Sequence, residues 1–309
     1  MDRPILLPFD SVAFVLAFAV VGFAVSIIRA KRFGESRTVG IWSGIETALA
    51  ILLGALASRA FTWVLLSSIE FDPRRVTAVG WLFHFWPGLL NTLCSLSVGE
   101  TAFSARGLVE WATAIGAIVG FWDGFHQIHD WRRGGGLTFL LDVTWGGAGV
   151  GVGVFIHFLN LGWGAFVSSR RIGAHRYDSG VAAKRGFAIT IGNVCSNLHG
   201  QADGGLFRHE RIHVLQNRLF GPLFLYSYLG WMAAFFVPAF VWGVIVRRPT
   251  TVPFSWCYLN NPWEEWAYRY GGSRDPNLVW PLERIIAVAT VFVLGIVGAI
   301  MWFIRGPST

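Results

Sequence analysis

The chain has 309 residues, of which 54% are hydrophobic and only 14% charged, and its mean hydropathy is +0.52. A soluble domain is about a quarter charged, so the composition argues against a cytosolic enzyme and for a polytopic membrane protein. The 25 Lys and Arg against 18 Asp and Glu give +7. Basic pairs such as Lys31-Arg32, Arg132-Arg133 and Arg247-Arg248 sit in short gaps between apolar runs, the distribution of loops beside anionic lipid, not of a nucleic-acid surface. The three cysteines, Cys94, Cys195 and Cys257, make neither a CxxC motif nor an even disulfide framework.

In chain order, Ser11 to Ile28 is an 18-residue uncharged run ended by Arg29, Lys31 and Arg32. It is long enough to cross ~30 Å of hydrocarbon, and its positive charge follows the run, against the order of a cleavable signal peptide. The basic loop Arg29–Arg37 predicts a cytoplasmic turn and an outside N-terminus. Val39 to Leu66 is a second run and carries Glu46 and Arg59; 13 residues apart, or ~20 Å along a helix, these cannot pair with each other. Each must face a polar interior or lie near an end. Trp81 to Leu96 is a marginal span broken by Pro87, and Trp111 to Trp122 is a shorter one running into Asp123, His126, His129 and Asp130. Asp123, His126 and Asp130, separated by three and four residues, share a helical face suited to interfacial ion pairs, a second metal, a substrate contact or a proton relay.

Leu137 to Val167 is interrupted only by Asp142 and His157, both expected to point inward or lie near an interface. Its glycine-rich centre, Gly146 to Gly153, suits close helix packing and lacks the Lys-Ser/Thr ending of a phosphate loop. Arg170 to Arg185 is the longest basic stretch, and Phe187 to Leu198 is apolar but too short to cross. Leu219 to Val246 has 28 uncharged residues, with Pro222 near its start and Pro238 inside, and can cross kinked or fold back as a broken hairpin. Ile285 to Phe303 supplies a terminal span. The expected fold is all-α: one integral membrane domain over residues 1–309, a polytopic transmembrane helical bundle of six or seven segments with no internal repeat.

Chemistry concentrates in Phe207 to Gln216, which contains His209-Glu210-x-x-His213. Residues four apart share a helical face, so both imidazoles can hold one metal ion. Glu210 can lean over the metal's open position and accept a proton from water there. A catalytic zinc takes three protein ligands, and His213 is the last histidine of the chain, so no metzincin pattern is possible. The third ligand is then Glu264 or Glu265, in a helix opening after Pro262, or His199, Asp203 or another group. His199 and Asp203, four apart, can alternatively orient a ligand histidine.

HExxH followed by a distant Glu resembles the gluzincin group of zinc metallopeptidases, whose third ligand often appears as Glu-x-x-Ala-Asp. Glu264-Glu-Trp-Ala267 matches its first four positions and favours Glu264, while Tyr268 replaces the usual Asp. The stretch from His209 to Phe224, with Gln216 and Gly221-Pro222-Leu223, is also similar to an uncharacterised family of bacterial integral membrane proteins in which a Glu-x-Trp-Ala helix and Gly-Gly follow, as Gly271-Gly272 does here. The resemblance covers roughly residues 186–272. It implies a zinc ion held by His209, His213 and Glu264, with Glu210 activating water and delivering its proton to the leaving amine. The resemblance identifies no substrate; together with the apolar composition, the leading reading is a multi-pass protein of the bacterial cytoplasmic membrane acting on a membrane-associated peptide or protein. A metal-dependent hydrolase of a lipid or small amide, and a non-catalytic protein with a structural metal, are the other readings. Tyr226, Tyr228, Tyr268 and His199 are all open as oxyanion donors. One constraint follows for the fold: if Leu219 to Val246 crosses fully, the chain must return, or the site must lie within the membrane depth, for Glu264 to meet the histidines.

Overall fold

The computed structural model describes residues 9–84, 104–163, 165–167, 170–182, 187–199, 204–272 and 279–305. It is mostly helical. Helix α1 (Phe9–Arg32) ends on Arg29, Lys31 and Arg32, cations that favour a helix C-terminus, and α2 (Arg37–Ser68) is capped by Ser36, whose hydroxyl accepts from Val39 N at 3.3 Å. The two pack antiparallel, with Gly22 against Ile51 and Gly40 against Ala30. After α3 (Pro73–Phe83), α4 (Ala105–His126) lies on α2 along a line of small residues: a Cβ on Gly116 would strike Gly54 O, and one on Gly120 would strike Ala50 O. Backbones in direct contact are the usual way membrane helices pack when burial from water offers no drive.

This contact also resolves the polar pair of the second apolar run. Arg59, 2% exposed, sends Nη1 and Nη2 to the two Glu110 carboxylate oxygens at 3.2 Å each, and Nη1 to Thr113 Oγ1 at 2.9 Å. Glu46 accepts from Gln127 Nε2 and Trp131 Nε1, both at 2.8 Å. Each side chain finds its partner across the interface with α4 or in the turn after it.

Among the described residues, four helices are long and apolar enough to cross a membrane: Ser11–Arg32, Arg37–Ser68, Pro222–Ile245 and Leu282–Met301. Their outer faces are apolar, with Val20 69%, Val237 64% and Val291 69% exposed, consistent with a membrane protein whose solvent is lipid. The expected six or seven segments are not reached among the described residues. Trp81 to Leu96 falls mostly outside them, and the Trp111–Trp122 run belongs to α4, which is not among the four. Leu137 to Val167 is not one straight span either: α5 (Gly135–Val143) and α6 (Gly147–Trp163) meet at 88° across a short break. Counted as one broken span, they raise the total to five.

The all-α expectation is corrected by a small sheet. Strands β1 (Ala165–Val167), β2 (His175–Ser179), β3 (Ile189–Ile191) and β4 (Val194–Ser196) stand in the order β1-β2-β4-β3, with β2 and β4 parallel and the other pairs antiparallel. The apolar run Phe187 to Leu198, too short to cross as a helix, makes the β3–β4 hairpin instead. Its inner residues Cys195 and Leu198 pack on Phe207 and Val214 of α7 (Gly205–Phe220). The glycines of α6 serve the packing role expected of them: a Cβ on Gly149 would strike Asn217 of α7, and one on Gly153 would meet Ile191 O at 2.7 Å.

Gly221 separates α7 from α8 (Pro222–Ile245). Its φ of +55° and the Trp145 ring, 2.5 Å from where a Cβ would stand, both demand glycine. Pro222 then opens α8, where its missing N–H costs nothing. After α8 the chain turns at Arg247 (φ +57°) and comes back along the same helix through a short turn, Thr251–Pro253, and a π-helical segment, Phe254–Leu259. Gly243 touches Pro249, Trp231 Nε1 donates to Trp256 O at 3.0 Å, and Asn261 Nδ2 to Tyr228 O at 3.4 Å, so the contacts run in reverse order down α8. The chain therefore returns to its starting level. There α9 (Pro262–Gly271) packs against α7, before α10 (Leu282–Arg305) closes the bundle, with Ala289 against Phe224 and Trp263.

Candidate metal centre

Helix α7 presents His209 and His213 on one face, as i,i+4 spacing requires. Helix α9 begins with the Asn261 side chain accepting from Trp263 N at 3.1 Å, with Pro262 in its first turn and Glu264 and Glu265 beside it, where carboxylates favour the helix dipole. The two helices touch at the site itself: a Cβ on Gly271 would lie 2.5 Å from His209 Cα.

His209, His213 and Glu264 converge, one ligand atom from each lying within 4.8 Å of the others. Glu264 Oε2 is 3.1 Å from His209 Nε2, Glu264 Oε1 is 3.3 Å from His213 Nε2, and the two Nε2 atoms are 3.2 Å apart. All three side chains are buried. Glu265, the competing carboxylate, points away and accepts from Trp280 N at 2.8 Å. His199 is exposed and does not join the three donors, and Asp203 lies outside the described residues.

The surrounding hydrogen bonds orient these donors. Gln216 Nε2 donates to Trp263 O at 2.9 Å, so its Oε1, 2.8 Å from His213 Nδ1, must be an acceptor. His213 therefore carries its proton on Nδ1 and turns the Nε2 lone pair toward the centre whenever the ring is neutral. Tyr228 donates to Glu264 Oε1 at 2.6 Å, which removes it from the open oxyanion candidates. Tyr226 donates to Trp81 O and faces elsewhere, while the Tyr268 ring lies 4.5 Å from the His209 ring, in the position where the gluzincin pattern has an Asp. Gln216 had a sequence signal, its spacing of three from His213.

Burial opposes charge on His213, but the Glu264 carboxylate, by charge and hydrogen bond, with Glu210 and Gln216 behind it, pushes its pKa up to about 9. The same pair acts in reverse on Glu264: burial disfavours its anion, yet His213 and then His209 hold it well below the usual carboxylate range. Two imidazoles and a carboxylate converging at a buried point are a ligand set that suits zinc.

Glu210, one residue after His209, faces a cavity of about 280 Å³ that also borders His213 and Glu264. Its Oε2 accepts from Thr190 Oγ1 of β3 at 2.6 Å, a partner with no sequence signal, because a three-residue strand does not declare its faces. The remaining wall is largely apolar, with Phe224, Leu225, Leu229 and Met232 from α8 and Tyr258 from the returning arm. Burial, and after it the charge of Glu264, pushes the Tyr258 phenol up, so it remains a hydroxyl donor at neutral pH.

The polar residues near the end of α4 form a separate group. The helix ends at His126, with Gln127 in the left-handed conformation, so Asp130 leaves the face predicted for it and accepts instead from Arg132 N at 3.2 Å. Asp123 and His129 remain buried and joined, His129 Nε2 lying 2.9 Å from Asp123 Oδ2. Asp142 and His157 both point inward, as expected, and Arg218 of α7 pairs with Asp142 through Nε at 2.8 Å and Nη2 at 2.6 Å. Cys195 and Cys257 are buried free thiols, and Cys94 lies outside the described residues.

Comparison of the chain with protein-family models, with curated proteins and with solved structures gives no match.

Proposed function

We propose that the protein is an integral membrane zinc metallopeptidase, with His209, His213 and Glu264 as the ligands and Glu210 as the general base. The observation that carries this reading is the convergence of three donors from helices on either side of an out-and-back hairpin, with Glu210 beside them on a cavity wall. A zinc ion held there supplies Lewis acidity toward a carbonyl and toward water. Glu210 takes the proton of the attacking water and passes it to the leaving nitrogen, with Thr190 holding one carboxylate oxygen in place. Tyr258 supplies a neutral hydroxyl toward the developing negative charge.

A peptide substrate is favoured by the position of β3. Its only strand partner among the described residues is β4, and Ile189, Thr190 and Ile191 line the same cavity as Glu210. An edge strand can pair with an extended peptide, the main chain giving affinity and adjoining pockets giving selectivity. The apolar α8 wall favours a second reading, a hydrolase acting on an acyl chain or small amide by the same chemistry. Six or seven membrane segments in a bacterial cytoplasmic membrane complete the proposal.

The test is Glu210→Gln in the purified, zinc-loaded protein, assayed against labelled membrane peptides and labelled lipids. The variant is expected to keep its zinc and lose at least about a hundredfold in turnover, the scale of positioned acid–base catalysis. Unchanged turnover removes Glu210 from the mechanism, and cleavage of lipid but not peptide transfers the site to the second reading.

A further inference from the structure

Five of the eight histidines of the chain fall in two buried groups, and only one of these groups is the HExxH centre. The other joins His126 at the end of α4, His157 in α6 and His175 in β2, with one ring nitrogen of each within 4.8 Å of the others. The three are 3%, 2% and 0% exposed. None of them lines the cavity that Glu210 faces.

The hydrogen bonds around these rings set their tautomers. His175 Nε2 lies 2.7 Å from Asp123 Oδ1, and a carboxylate held by His129 Nε2 at 2.9 Å and Asn193 Nδ2 at 3.1 Å accepts only, so His175 carries its proton on Nε2. Its Nδ1 is then a lone pair, and it faces His126 Nδ1 at 2.9 Å. His157 directs Nδ1 to the Tyr177 hydroxyl at 2.8 Å, which leaves Nε2 as its coordinating nitrogen. The ring is fixed by stacking on Trp122 (centroids 4.5 Å apart, 9° between planes) and by edge contact with His175 (4.3 Å, 85°). A histidine whose far nitrogen donates to a carboxylate is the arrangement that orients metal-binding imidazoles and raises their basicity.

From this geometry we infer that His126, His157 and His175 form a second metal site, distinct from the HExxH centre, that takes a divalent ion of the zinc class and ties α4, α6 and the sheet together. Three imidazoles suit zinc and its neighbours, not magnesium or calcium, which require oxygen ligands. Asp123 supplies the nearest negative charge. The neighbouring group of Asp123, His129 and Asp142 is a poorer site, because Arg218 already occupies both oxygens of Asp142. Burial away from the catalytic cavity assigns the ion a structural role: β2 pairs with β4, β4 with β3, and β3 carries the Thr190 that holds Glu210.

The experiment is metal content per chain after zinc loading and dialysis, for the full-length protein, His175→Gln, His209→Gln and Asp123→Asn. Two zinc ions are expected in the wild type and one in each histidine variant. Asp123→Asn should hold the second ion about 10–100-fold more weakly in chelator competition, as loss of an orienting carboxylate does elsewhere. One ion in the wild type that His209→Gln abolishes and His175→Gln retains overturns the second site and leaves the HExxH centre standing; the converse pattern sinks the HExxH centre and upholds the second. Should His175→Gln fail to fold, an anomalous difference map of the zinc-loaded wild type at the zinc edge decides without substitution. A peak among the three imidazoles is expected, and its absence while His209, His213 and Glu264 hold one overturns the inference.

Discussion

His213 stands between two groups of opposite demand. Glu264 draws a proton onto its ring, and Gln216 accepts the proton that a metal-bound ring must retain. With no metal bound, its pKa of about 9 lies above the ordinary 6.5, so the pair's contribution to stability is fully present below pH 6.5 and is lost as pH rises through about 9. Glu264, held low, stays ionised through that window. Zinc must displace the proton on Nε2, so below pH 9 its affinity should rise about tenfold per pH unit, with close to one proton released from His213 per ion. Titration calorimetry in buffers of different ionisation enthalpy measures that release, and a pH-independent affinity between 6.5 and 8.5 would contradict the assignment. Gln216→Leu removes the acceptor on Nδ1 while keeping the size of the side chain. Zinc affinity should fall about 10–100-fold with helicity unchanged, and wild-type affinity in chelator competition would show that Gln216 does not orient the ligand.

At the level of elements, the site depends on how closely α7 and α9 approach. A Cβ on Gly271 would sit 2.5–2.8 Å from His209 N, Cα and Cβ, so Gly271→Ala must part the two helices at His209. The expected cost is about 1–3 kcal/mol of stability, read as a lowered thermal midpoint, together with weaker zinc retention. Gly295→Ala in α10, where a Cβ meets nothing within 4 Å, should leave both unchanged. Equal effects of the two substitutions would refute the close-approach account. The same elements show what was readable beforehand. The HExxH pair was legible because i,i+4 spacing is a local signal, whereas the proline-led first turn of α9 offers Glu264 and Glu265 alike and only the resemblance to Glu-x-x-Ala favoured the first. The α2–α4 interface was legible in principle, since Gly116, Gly120 and Gly124 recur every four residues. The sheet was not, because three-residue strands carry no periodicity. The His126–His157–His175 group was not either, since its members are brought together from three elements and His175 sits in what reads as a basic loop. The bend between α5 and α6 hides behind a run whose hydropathy is that of one span.

For the whole molecule, the consequential feature is the hairpin of α8 and the arm that returns beside it. Twenty-four residues of α8 extend ~36 Å, enough to traverse the bilayer, and the arm brings Asn261 back level with Tyr228. His209, His213 and Glu264, the proposed metal ligands, therefore gather at one end of α8, while Arg247 and Arg248 mark the other. If α8 crosses, exposed Arg211, on α7, and exposed Arg248 lie on opposite faces of the membrane. Single cysteines at these positions, in a background with the native cysteines replaced, should react with a membrane-impermeant maleimide from opposite sides of sealed vesicles. Labelling of both from the same side would mean that α8 lies along the membrane or dips into it, and the site would then open in the plane of the interface. The outcome bears on substrate access as well as topology. A crossing α8 sets the apolar cavity wall of Phe224, Leu225 and Leu229 near the point where the helix enters the lipid, where, on the proposed function, a membrane-embedded substrate would reach Glu210 with the least exposure of its apolar part to water.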